Sequence, residues 1–565
     1  MHVFFEDDGA FKAGTVLADN DTSLQVEAAS GKRLKIKAAH VLLRFADPSP
    51  SALLADAQTL AAELDPNFLW EVSGEGEFAF SELAGVERKR REAEQVAACA
   101  EELKAHRLPE GFRDKLSMLL YKPDKLAIET RALFAACEAL QTNPQALLAA
   151  CGAIPSTHEY HFNRFVFEMF PRGTGFPLVA ALPEPPELPL SAARAFSIDD
   201  AATTEIDDAF SVRALANGHL ELGIHIAAPA VAITRGSPLD AIARERLSTV
   251  YMPGRKITML PDEVIERFTL AAGATPPVVS LYIEAAPDGT PLKHVTRLER
   301  IPIAANLRLD AIGERFAEAA APGEPEWTDE LRVLWRVAQK LEAVRGKTET
   351  QRVEYSFRVD WDAAPDGRVA IVPRPRGSPL DKLVAELMIY VNSTWGKVLA
   401  DAIVPGLYRT QTAGKVKMST TPEPHQGLGV AQYLWASSPL RRYSDLVNQQ
   451  QLLAVVGGAK PPYPHGDAQL FAAAADFEST YAQYAEFQSR MEQYWCLRWL
   501  IQEHVQETTA TVLRENLVRF DALPLMLRVA DIPPLAPESR VRLAIGRVDL
   551  LEATLEARYA GLAPD

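Results

Sequence analysis

At 565 residues and roughly 150 residues per domain, the chain has room for about four domains. Hydrophobic residues make up 47% and charged residues 24%, proportions that exclude a disordered chain, a collagen-like fibre and a small disulfide scaffold. The formal charge of −16, from 59 Lys plus Arg against 75 Asp plus Glu, argues against sequence-independent coating of DNA or anionic membranes, but leaves room for a basic channel inside an acidic envelope. Residues 1–48 alternate short β-branched and aromatic runs with turn signals at Asp7-Asp8-Gly9 and Ser30-Gly31-Lys32, the pattern of a small β-barrel. Residues 49–185 turn helical. An Ala/Leu-rich stretch opens at Ser49, and a charged helix carries the basic run Arg88–Arg91, which reads as a solvated face paired with neighbouring Glu residues. Several short helices follow, compatible with a helix-turn-helix or winged-helix unit or with a plain helical trio. Five prolines from Pro177 to Pro189 read as a linker. Residues 186–505 form a large α/β body, and the short strand runs of 506–565 fit an OB-fold barrel.

The four cysteines, Cys99, Cys137, Cys151 and Cys496, make no C-x-x-C pair and read as buried small hydrophobes of a reducing compartment. The start MHVFFEDDGAF lacks the basic and apolar regions of a secretory signal. No apolar run approaches the ~18 residues of a membrane span, so a cytoplasmic protein without a membrane partner is expected.

Two strings carry chemistry. In SIDDAATTEIDDAFSV, Asp199, Asp200, Glu205, Asp207 and Asp208 place five carboxylates within ten residues. Carboxylates so crowded repel one another unless a cation neutralises them, and hard divalent ions prefer oxygen ligands; a solvated acidic loop is the ordinary alternative. In SSPLRRYSDL, Ser437, Ser438 and Pro439 cap an expected helix whose first two turns hold Arg441, Arg442 and Asp445. Arginines oppose the positive end of the helix dipole, which suits an anion site; pairing of one arginine with Asp445 is the simpler reading. His225, inside LGIHIAAPA, reads as a satisfied interior histidine, and the stripe Phe477, Tyr481, Tyr484, Phe487, Met491 and Tyr494 reads as core packing.

Together the two strings, with LGIHIAAPAVAITRGSPLDAIARERLSTVYMPGRKITMLP and LVAELMIYVNSTWGKVL between them, resemble the ribonuclease II (RNB) family of 3'→5' exoribonucleases. The resemblance implies a multidomain α+β protein. A small N-terminal β-barrel and a helical, winged-helix-like module would precede the RNB α/β catalytic domain, with a C-terminal S1-type OB-fold barrel after it. It implies hydrolysis of single-stranded RNA from the 3' end to nucleoside 5'-monophosphates with Mg²⁺, Mn²⁺ substituting, and no obligatory protein partner. On the matching positions it assigns metal binding to Asp199, Asp208, Glu205 and Asp207, with Asp207 essential for cleavage; Glu205 stands where the family has Asp. Arg441 would clamp the scissile phosphate, Tyr251 secure the last nucleotide, Phe357 close the base stack and Glu386 read the terminal ribose. The family's second clamp tyrosine would fall near Leu309, where this chain has none. A catalytically inactive RNA-binding protein on the same fold is the alternative; an unrelated Mg²⁺ phosphatase would leave the barrels and SSPLRRYSDL unexplained.

Overall fold

The computed structural model describes the chain except residues 8–9, 29, 48, 51, 53–69, 73–76, 81, 179–182, 201–202, 313–325, 348–351, 365 and 565. The helix expected from Ser49, part of the Asp7-Asp8-Gly9 turn, the middle of the proline segment, half of AATT and the side chain of Arg88 therefore lie outside the described residues. The chain divides into two units, Met1–Phe167 and Glu168–Asp565.

In the first unit, β1 (His2–Asp7), β2 (Ala10–Asp19), β3 (Ser23–Ala28), β4 (Arg33–Lys37) and β5 (Val41–Phe45) make an antiparallel sheet in the order β4-β3-β2-β1-β5. The hairpin β6 (Trp70–Val72) and β7 (Glu77–Phe80) joins it through β2. Alternation along the strands sends Val3, Phe5, Leu24, Val26 and Ile36 into one small core. Helices follow at Glu82–Lys104, Leu116–Tyr121, Ile128–Leu140, Pro144–Ala150 and Thr157–Met169. Asn143 caps one of them, accepting from Ala146 N at 2.7 Å, with Pro144 in the first turn, where a missing N–H costs nothing. Leu103, Phe112, Leu133, Leu147 and Leu148 hold the helices together. In the basic run, Arg90 pairs with Glu94 at 2.8 Å on an exposed face.

The second unit is built on a six-stranded sheet. Its strands are β8 (Ala195–Asp199), β9 (Asp208–Ala214), β10 (Leu220–Ala227), β13 (Pro277–Ala285), β14 (Pro291–Arg300) and β15 (Ile303–Arg308), in the order β14-β13-β10-β9-β8-β15. Only β15 against β8 is parallel among these pairs. Three hairpins accompany it: β11 (Val250–Met252) with β12 (Arg255–Ile257), β16 (Arg352–Asp360) with β17 (Arg368–Arg376), and β18 (Tyr408–Thr412) with β19 (Lys415–Ser419). Long helices run at Pro379–Asp401, Tyr443–Val456 and Ala468–Gln502. A five-stranded sheet ends the chain in the order β22-β21-β20-β23-β24, made of β20 (Glu507–Arg514), β21 (Leu517–Phe520), β22 (Met526–Arg528), β23 (Arg540–Asp549) and β24 (Thr554–Leu562).

Two sets of contacts run across the expected boundaries. The division at 167/168 precedes the proline segment, because the residues before that segment pack on the second unit. Arg246 donates to Thr174 O at 2.7 Å and Gly175 O at 2.9 Å, with its guanidinium 3.7 Å from the Phe176 ring. At the other end, Cys496, Leu497 and Leu500 of the long helix share one apolar cluster with Ala510, Val512, Val518 and Val541. The apolar core of the C-terminal sheet thus also takes in the end of the long helix.

The central strands are covered on both faces. One face of β9, β10 and β13 presents the large residues Phe210, Leu222, Ile224, Leu281 and Ile283. On the other, His225 is fully buried between Ser211 Oγ and Ser280 Oγ, each 2.8 Å from a ring nitrogen, with the Tyr282 ring edge-on to it. Its ring lies across Gly223, where a Cβ would come within 2.4 Å of it, so only glycine fits beside it. Burial pushes the imidazole down to about 3. The unfolded chain then takes up a proton near pH 6.5 that the folded chain refuses, so stability falls as pH drops below that value. The slope is about 1.4 kcal/mol per unit, or about 2 kcal/mol between pH 7 and 5. Buried carboxylates shift the other way, so the measurement is the difference in urea unfolding between wild type and His225→Gln at the two pH values. Equal pH dependence in both would remove His225 as the cause.

Candidate active site

β8 ends on Asp199 and β9 begins on Asp208, so the strand pair itself delivers both carboxylates to one edge of the sheet. The link between them is tied down. Leu270 N donates to Ile206 O at 3.0 Å, Thr269 Oγ1 accepts from Ile206 N at 2.8 Å, and Ala227 N donates to Asp207 O at 2.8 Å. Parallel pairing sets Arg308 beside Asp199, and the Arg308 guanidinium holds Asp200 O at 2.9 Å. Asp200 itself points to an ion pair with Arg374 and is not part of the cluster.

Asp207 is the junction. Its Oδ1 accepts from Leu440 N at 3.0 Å and its Oδ2 from Arg441 Nε at 3.1 Å. Arg441 also donates to Ser438 Oγ at 3.1 Å. The expected helix begins later than its capping residues suggested: it starts at Tyr443 with Arg442 as the preceding cap residue. The cause is Asp445, which accepts from Ser438 N at 2.8 Å and from two Arg442 nitrogens at 2.9 and 2.7 Å. The acid in the first turn suits the helix dipole, and Arg441 is left in the loop, aimed at Asp207.

Burial pushes Asp207 up to about 7, against the opposing pull of Arg441 and the Leu440 N–H. Burial, then repulsion from Asp199 and Asp207, pushes Asp208 up to about 8; burial also raises Asp199, whose Oδ2 accepts from Ser197 Oγ at 2.5 Å. No donor hydrogen-bonds Asp208 among the described residues. Three carboxylates crowded together, Asp207 buried and Asp199 and Asp208 half-buried, fit a hard divalent cation. Asp199 and Asp208 would hold it, although no ready-made cluster of three ligands exists among the described residues.

Glu205 has other company. It accepts from Thr249 Oγ1 at 3.0 Å, Tyr251 OH at 3.1 Å and Lys256 Nζ at 2.9 Å. Tyr251 is 37% exposed and, with Arg441, Arg442, Tyr481 and Tyr484, lines a cavity of about 90 Å³. Sequence reading missed Lys256, although YMPGRK makes it the cross-strand partner of Tyr251 once the β11–β12 turn is placed. It also put the whole 477–494 stripe in the core. Phe477, Tyr484, Phe487, Met491 and Tyr494 are buried, whereas Tyr481 also faces the cavity.

Two expected site residues are not brought to the carboxylates. Phe357, on β16, packs with Ile371 against the cluster of the C-terminal sheet. Glu386 is buried with both oxygens engaged by Arg345, Oε2 to Nε at 3.1 Å and Oε1 to Nη2. Leu309 opens a short helix and packs on the large core.

Residues 188–418 and 411–458 match the family described as the RNB domain. Exoribonuclease 2 of Klebsiella pneumoniae is 27% identical over 335 residues, 48% of this chain and 51% of that protein. The chain thus spans about half the length of the curated relatives it matches. Among solved structures, the Dss1 exoribonuclease of Candida glabrata, solved as an active-site mutant, superposes with a TM-score of 0.65 at 14% identity, covering 99% of this chain and 96% of that one. The RNase R of Mycoplasma genitalium, in complex with ribose-methylated single-stranded RNA, gives 0.59 at 14% identity, covering 71% and 78%. Both share the fold. Among the described residues, no helix is long and apolar enough to cross a membrane.

Proposed function

We propose, because residues 188–458 match the RNB domain and the chain is similar to exoribonucleases, that it is a hydrolytic 3'→5' exoribonuclease that degrades single-stranded RNA processively to nucleoside 5'-monophosphates. The observation that carries this reading is the meeting of Asp199, Asp207 and Asp208 with Arg441 beside the Tyr251-lined cavity. The RNA backbone enters by its 3' end, and Tyr251 offers a face on which the last base stacks. Arg441, oriented by Asp207 and Ser438, faces the scissile phosphate and stabilises the charge that develops there. The Mg²⁺ that Asp199 and Asp208 would hold, or Mn²⁺ in its place, supplies the activated nucleophile and Lewis acidity. Around the catalytic residues 186–505, the segments 1–48, 49–185 and 506–565 would act as a β-barrel, a winged-helix-like module and an S1-type OB-fold that grip the strand upstream.

The test is incubation with Mg²⁺ and oligoribonucleotides bearing a free or a blocked 3' end. Stepwise shortening and release of 5'-monophosphates are expected only from the free end. Binding without release would establish the inactive RNA-binding alternative, and cleavage of the 3'-blocked strand would rule out a 3'→5' exonuclease. Within this reading, Tyr251→Ala loses one stacked base, worth about 1–3 kcal/mol. Its KM for short oligonucleotides should rise about tenfold and its end products should lengthen. An unchanged product ladder would make Tyr251 a packing residue only.

A further inference from the structure

The carboxylate of Glu205 lies in the acidic string but is spent elsewhere. Its side chain is 2% exposed, and three donors satisfy it: Thr249 Oγ1 on Oε1, Tyr251 OH and Lys256 Nζ on Oε2. Each donor is itself fixed. Thr249 Oγ1 accepts from Met259 N at 3.0 Å, so its proton is directed to Glu205. Lys256 Nζ also donates to Thr204 Oγ1 at 2.6 Å, on the residue just before Glu205. Tyr251 and Lys256 face each other across the β11–β12 hairpin, so one carboxylate grips both strands of that hairpin from below. A carboxylate with three donors on it is a poor ligand for the cation that Asp199 and Asp208 would hold. The ammonium lowers the cost of burying the carboxylate, and the carboxylate fixes the phenol whose ring is 37% exposed at the cavity.

We propose that Glu205 and Lys256 are positioning residues that tether the Tyr251 hydroxyl, so holding its ring at the cavity and setting the shortest oligonucleotide the chain retains. This rests on Tyr251 being a nucleotide contact. A tether acts on ring order, so it matters where few other contacts hold the strand: short substrates feel it and long ones do not.

The experiment compares Lys256→Met, Lys256→Arg, Glu205→Gln and Tyr251→Phe by fluorescence anisotropy with a labelled tetraribonucleotide and a long oligoribonucleotide. End-product length and the Mg²⁺ concentration for half-maximal activity are read beside it. Lys256→Met and Tyr251→Phe are expected to weaken tetranucleotide binding about threefold, part of the roughly tenfold that loss of the stacked ring would cost. Both should lengthen end products while leaving long-strand affinity and the Mg²⁺ requirement unchanged; Lys256→Arg restores wild-type values. Tyr251→Phe removes one hydroxyl and keeps the ring, so it decides the matter even where Glu205→Gln fails to fold. Unchanged tetranucleotide binding in Tyr251→Phe overturns the tether, and so does a loss confined to Lys256→Met, which would mean that the lysine touches RNA itself. A tenfold higher Mg²⁺ requirement in Glu205→Gln with normal tetranucleotide binding would make Glu205 a metal ligand. If the wild-type protein released no nucleotide, the exoribonuclease reading would fail while the binding arm still decided the tether.

Discussion

Replacing Asp207 by Asn is expected to cut nucleotide release by a factor of about a hundred to a thousand while leaving RNA affinity unchanged or slightly improved. The substitution keeps the shape and one acceptor, so Leu440 N can retain its partner. It also sets an amide N–H₂ or a weaker oxygen against Arg441 Nε, which now meets a carboxylate at 3.1 Å. Arg441 loses its anchor, and the carboxylate cluster loses one of its charges. Removing a single group that stabilises transition-state charge costs about 3–4 kcal/mol, which is the stated factor in rate. Affinity rests on phosphate and stacking contacts spread along the strand, and deleting a buried negative charge beside a phosphate does not weaken them. Gel shift and nucleotide release on one preparation decide it. Substantial release by the variant would move the chemistry to Asp199 and Asp208; lost binding would make Asp207 structural.

Replacing Glu386 by Gln is expected to destabilise the fold by about 3–5 kcal/mol, because it strands a charge. Arg345 is 9% exposed, gives two nitrogens to Glu386 and a third to Leu428 O at 2.6 Å. Leaving one member of a buried ion pair uncompensated costs far more than the pair contributes. Arg345→Met should cost a comparable amount, and Glu386→Leu with Arg345→Met much less than their sum. Urea unfolding of the three proteins measures this. A ribose-reading role makes a different forecast, with full stability and lost preference for RNA over DNA. Finding that pattern would show that Arg345 releases the carboxylate when substrate enters.

The comparison of Asp207 with Glu386 shows what the sequence could disclose. Strings that carry their chemistry locally were readable: a crowd of acids in SIDDAATTEIDDAF and two arginines in SSPLRRYSDL announce charge that needs a partner. Which partner each takes depends on contacts between strands and loops far apart in the chain, and no spacing encodes that. Glu205 and Asp207 are two residues apart, yet one is held by the β11–β12 hairpin and the other by the 438–441 loop. Arg441 and Arg442 are adjacent, yet only Arg442 turns back to Asp445. The interior role of His225 was legible because every neighbour in LGIHIAAPA is apolar or small. The place of Phe357 was not, because the cluster that receives it is assembled from residues near 500 and beyond. The boundary at 167/168 was hidden for a related reason: Arg246 reaches back to Thr174 and Gly175, and composition marks only the prolines that follow.

The ion pair between Asp207 and Arg441 joins residues 234 positions apart, and this has a bearing on how the protein is made. At about 5–20 residues per second of synthesis, the acidic string leaves the ribosome on the order of tens of seconds before its arginine exists. Through that interval Asp207 lacks both of its hydrogen-bond donors, since Leu440 is as late as Arg441. A nascent or prematurely terminated chain therefore displays the acidic string without a working centre.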